Sequence, residues 1–156
     1  MNIETILIPT DFSRNAQQAF EHAYNLARLL HAKLYVLHVQ DESTLRTAVA
    51  EGLLNDYSTD KELESEVNHL IQARFSTMLA GHSFPEVIVE RAAVRGDPDA
   101  VIPVYAREIG ADLMVVGMRG TGILDKFKNV VLGSVAESLI ERSPCPVLLI
   151  RHDDTE

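Results

Sequence analysis

At 156 residues, 46% of them hydrophobic and 24% charged, the chain is expected to fold as a single domain over residues 1–156 with one substantial core. No stretch approaches the roughly 18–20 apolar residues of a membrane span, and the N-terminus lacks the marks of a secretory leader. A net charge of −9 argues against coating nucleic acid or anionic membrane, and the lone Cys145 excludes an intrachain disulfide and fits a reducing, cytoplasmic location.

Residues 3–9 (IETILIP) read as a short buried strand closed by Pro9, and Thr10-Asp11-Phe12-Ser13 supplies turn and cap chemistry. Ala16, Ala19, Phe20, Ala23, Tyr24, Ala27 and Leu30 then follow the rhythm of an amphipathic helix. Residues 33–39 (KLYVLHV) form a second strand, apolar on both faces, as in a parallel sheet covered by helices. Residues 41–60 are polar and irregular, with a lid or a plain surface loop as the two readings.

From Lys61 a long helix is predicted, with Leu63, Val67, Leu70, Ile71, Phe75, Met78 and Leu79 on one stripe, ended by Gly81-His82-Ser83. Residues 86–94 (EVIVERAAV) give a third strand, and Gly96-Asp97-Pro98 a turn that opens a helix over 99–110. Pro103 is expected to shorten or kink the start of that helix. Residues 111–116 (ADLMVV) are a fourth strand, followed by a glycine-rich loop, a helix over 134–142, and a last strand, Val147–Arg151. Strands and helices alternate throughout, which predicts right-handed crossovers and a parallel α/β sheet.

In such a sheet ligands sit beyond the carboxyl ends of the strands. Three loops lie there: Pro9-Thr10-Asp11, Val39-Gln40-Asp41, and residues 117–134. Glycines let backbone amides approach a phosphate, and the helix after Gly133 adds its positive end, with Ser134 as a hydroxyl donor. The alternative is turn chemistry alone, with Ser134 as a helix cap. By themselves, Asp11 reads as a helix cap and Arg119 as a solvated loop charge. Lys126 and Lys128 steer an anion or merely keep the loop solvated. The six histidines show no metal-ligand spacing, so no metal site is expected, and His38 reads as a packed core residue.

Several segments together carry a resemblance. They are Ile6-Leu7-Ile8-Pro9-Thr10-Asp11-Phe12-Ser13, Leu37-His38-Val39, Gly96-Asp97-Pro98, residues 111–117, and Gly133-Ser134-Val135-Ala136-Glu137 through Pro144-Cys145-Pro146-Val147-Leu148-Leu149-Ile150. In this order they resemble the universal stress protein family over nearly the whole chain. The resemblance implies a Rossmann-like, doubly wound open sheet of five parallel strands in the order 3-2-1-4-5, with helices on both faces. It also implies a homodimer through Val147–Arg151. ATP-binding members of the family carry Gly-x2-Gly-x9-Gly-Ser/Thr. Here Gly117, Gly120, Gly133 and Ser134 are present, but twelve residues separate Gly120 from Gly133.

By resemblance, Pro9, Asp11 and Val39 would hold the adenine side and Gly117 the ribose. Arg119, Gly120, Gly133, Ser134 and Val135 would hold the phosphates of ATP, with Mg²⁺. The function implied is that of a nucleotide-binding regulatory stress-response protein, and not of an enzyme. The alternatives are a dimeric scaffold that binds no nucleotide, and a slow ATPase. The second lacks a Gly-x4-Gly-Lys-Ser/Thr loop and an evident general base.

Overall fold

The structure, a computed structural model, describes residues 1–41, 52, 60–82, 85–118 and 132–151. The elements in chain order are β1 (Thr5–Pro9), α1 (Arg14–Leu30), β2 (Lys33–Gln40), α2 (Asp60–Leu79), β3 (Val89–Arg95), α3 (Pro98–Glu108), β4 (Leu113–Gly117), α4 (Ser134–Arg142) and β5 (Val147–Ile150). The strands form one parallel sheet ordered β3-β2-β1-β4-β5, as the family resemblance implies. No helix among the described residues is long and apolar enough to cross a membrane.

Strand alternation divides the core into two layers. Ile6, Ile8, Leu34, Val36 and Val115 face one side, beneath Ala19, Phe20, Ala23 and Ala27 of α1 and Val67, Ile71, Phe75 and Met78 of α2. Leu7, Leu37, Val39, Met114 and Val116 face the other, beneath Ile102 and Ala106 of α3 and Ala136 and Leu139 of α4. The apolar run of each central strand therefore serves both layers. The alanines of α1 let that helix lie close on the sheet. At the amino edge, the Asp112 carboxylate accepts from the Glu4 and Thr5 amides at 2.9 and 3.0 Å, which fixes the start of β1 beside β4.

Several expectations need correction, among them Leu30, which lies off the buried stripe of α1 at 42% exposed. Leu70 does not join the α2 stripe but is 39% exposed, because its neighbour Ile71 takes the inward position. The third strand starts at Val89 instead of residue 86. Pro103 does not shorten the start of its helix: α3 begins at Pro98, with Pro103 buried at its sixth position. A proline there leaves the carbonyl four residues back without its helical donor. That carbonyl, of Asp99, accepts instead from Arg142 Nη1 of α4 at 3.4 Å.

The turn before α3 does need its glycine. Gly96 has φ of 145°, and a Cβ there would lie 2.7 Å from Val101 Cγ2. Its amide donates to the Gln40 carbonyl at 3.1 Å, tying the end of β3 to the end of β2.

Candidate functional site

The sheet order reverses at β1: the chain passes from β1 outward to β2 and β3, then returns to place β4 and β5 on the other side. The loops leaving β1 and β4 thus diverge at their carboxyl ends, where an open α/β sheet holds its ligand. Pro9 pairs with Leu37, so Val39 lies two residues further along the same edge. Ile6 pairs with Leu113 and Leu7 with Met114, a register that carries Pro9 level with Val116, next to Gly117. Pro9, Asp11, Val39 and Gly117 are thereby brought to one edge.

Short polar bonds build the turn after β1. Thr10 is buried and donates its amide to the Leu37 carbonyl at 2.8 Å, while its hydroxyl accepts from the Phe12 amide at 3.0 Å. Asp11 is exposed, and its Oδ1 accepts from the Ser13 amide at 2.9 Å. Ser13 is the residue that caps α1, its hydroxyl accepting from the Ala16 amide at 3.2 Å. Phe12 has φ of 61°, a strained conformation for a bulky side chain. Its ring lies 4.6 Å from His38 and edge-on to Phe75 at 5.0 Å.

His38 is buried on β2, and its Nδ1–H donates to the Thr10 carbonyl at 2.9 Å. Burial pushes the imidazole below its ordinary range and the nearby Arg74 adds to this, while the Thr10 bond and the Asp11 and Asp41 charges act the other way. Gln40, also buried, closes β2, and its Nε2 has no acceptor among the described residues. The sequence placed Gln40 in a ligand-facing loop without giving it a role, and read His38 as core alone. The available signal was a pair of polar residues inside an apolar strand, each of which must find a partner when buried.

On the other side of the edge, Met118 donates its amide to the Ile150 carbonyl at 3.0 Å, and Gly133 donates to the Met118 carbonyl at 2.8 Å. The second bond ties the start of α4 to the carboxyl end of β4. Gly133 is the N-cap of α4 and supplies no side-chain cap, whereas Ser13 and Asp97 cap α1 and α3. Ser134 is exposed, with Gly133 and Val135 half-buried. The first amides of α4 thus keep their capacity to bind an anion. Arg119, Gly120, Lys126 and Lys128 lie outside the described residues.

A parallel, doubly wound sheet with its ligand-facing loops at a reversal of strand order defines the Rossmann-like class of α/β protein. Within it the chain belongs to the universal stress protein family, whose model matches residues 2–151. Universal stress protein MJ0531 of Methanocaldococcus jannaschii is 32% identical, over 97% of this chain and 84% of that protein. Universal stress protein UspA from Lactobacillus plantarum superposes with a TM-score of 0.71 at 28% identity, covering 97% of this chain and 99% of that one. The hypothetical protein MJ0577 superposes with a TM-score of 0.77 at 26% identity, over 99% and 100% of the two chains.

Proposed function

We propose that this chain is a regulatory module that binds an adenine nucleotide, ATP with Mg²⁺, at the carboxyl edge of its sheet. Pro9, Asp11 and Val39 line the base end and Gly117 the ribose. Gly133, which has no side chain to block a close approach, and the amides of Ser134 and Val135, together with Arg119 and Gly120, take the phosphates. The observation that carries the reading is the 2.8 Å bond from the Gly133 amide to the Met118 carbonyl. It keeps an uncapped helix start beside Gly117, although the intervening loop is longer than the ATP-binding pattern requires. Two neighbours of the same fold, each 22% identical, were solved in complex with cAMP and with dAMP.

The module acts as a homodimer joined through Val147–Arg151. β5 is an edge strand, Leu148 is 40% exposed on it, and Ile140 on the preceding helix is 49% exposed. An apolar sheet edge of this kind favours pairing with a second copy.

Mass spectrometry of the supernatant from freshly purified, denatured protein tests the nucleotide reading. Adenine nucleotide near one per subunit is the expected result. No co-purified nucleotide, and no ATP binding on titration, would leave a scaffold that does not bind nucleotide.

A further inference from the structure

Between the strand that ends beside the base and the turn that carries Asp11 lies a contact with no part in the ligand set itself. His38 shares a face of β2 with Leu34 and Val36, and its ring meets both flanks of Asp11. On one flank its Nδ1–H donates to the Thr10 carbonyl at 2.9 Å, and on the other its ring packs against Phe12 at 4.6 Å. Leu37, one residue earlier, holds the Thr10 amide at 2.8 Å, so two successive residues of β2 grip both polar groups of the Thr10 backbone. Phe12 meanwhile sits in the left-handed region with φ of 61°, a conformation that persists only where its surroundings enforce it.

We propose that His38 is a positioning residue for the nucleotide: through its Nδ1–H bond to Thr10 it fixes the turn that presents Asp11 to the base. The proposal rests on the nucleotide reading above. The neutral tautomer must carry its proton on Nδ1, because a carbonyl only accepts. An asparagine at position 38 offers an N–H at the same distance from the backbone without the ring. A phenylalanine offers the ring without the donor.

Three measurements test it. The ¹⁵N imidazole spectrum of the ligand-free wild-type protein should show His38 as the Nδ1–H tautomer, and an Nε2–H tautomer overturns the proposal. Hydrogen exchange at the Phe12 and Ser13 amides, also without nucleotide, should be about tenfold faster in His38→Phe and near wild type in His38→Asn. ATP affinity by calorimetry should fall about fivefold in His38→Phe, the size of one net hydrogen bond, and stay within about twofold in His38→Asn. Equal behaviour of the two variants, in exchange or in affinity, overturns the proposal. Wild-type protein that binds no ATP sinks the nucleotide reading instead, and the spectrum and the exchange rates still decide whether His38 sets the turn.

Discussion

At the scale of single residues, backbone and protonation carry the account. Gly96 combines a positive φ with a side-chain neighbour where a Cβ would stand, so Gly96→Ala meets both strain and contact. Urea denaturation should show a loss of about 1–3 kcal/mol, while exposed Gly81→Ala, with open space around it, should lose less. His38 gives a pH dependence whose sign follows from burial. Its folded-state affinity for a proton is lowered from the ordinary 6.5, so the unfolded chain takes up the proton first as pH falls. Its contribution to stability is complete above that value and declines below it, by at most about 1.4 kcal/mol per pH unit for one proton. Urea midpoints at pH 7.5 and 5.5 should therefore differ more for wild type than for His38→Asn.

At the scale of elements, α2 depends on a few side chains. Phe75 is fully buried, lies in the carboxyl-terminal half of its helix, and is edge-on to Phe12. Phe75→Ala should cost about 3–5 kcal/mol in an equilibrium unfolding experiment, and by leaving Phe12 a looser neighbour should also speed exchange of the Phe12 amide. The elements were legible because their patterns differ in period: the continuous apolar runs of β1, β2 and β4 against the i, i+3, i+4 alanines of α1. Errors fell where tertiary contacts decide. Pro103 lies inside α3, and the Asp99 carbonyl that it deprives of a helical donor accepts from Arg142 of another helix, a partner that no local pattern announces. The site was legible as loops but not as bonds. Asp11 read as ligand or cap, and only the structure shows Ser13 as the cap of α1. His38 read as core, which it is, but its bond to Thr10 depends on the pairing of β2 with β1.

At the scale of the whole molecule, the order β3-β2-β1-β4-β5 does two things at once. It opens the carboxyl edge at β1 and β4, and it leaves β5 as an edge on the side of α4. Because Met118 bonds to both Ile150 and Gly133, the same backbone joins β5 to the start of α4. Nucleotide occupancy and pairing across β5 are thus mechanically adjacent in the proposed switch. Leu148→Lys should place a charge in the proposed two-fold contact and shift light-scattering mass from dimer to monomer without changing the monomer's fold. Wild-type protein that is already monomeric would remove the dimer from the account. The most direct test of the nucleotide site is calorimetric titration of nucleotide-free protein with ATP, AMP and adenosine under the same conditions. Saturable binding of ATP, weakening through AMP to adenosine, is the predicted result, because the α4 amides hold phosphate. Absence of heat with all three, or equal binding of adenosine and ATP, would contradict it.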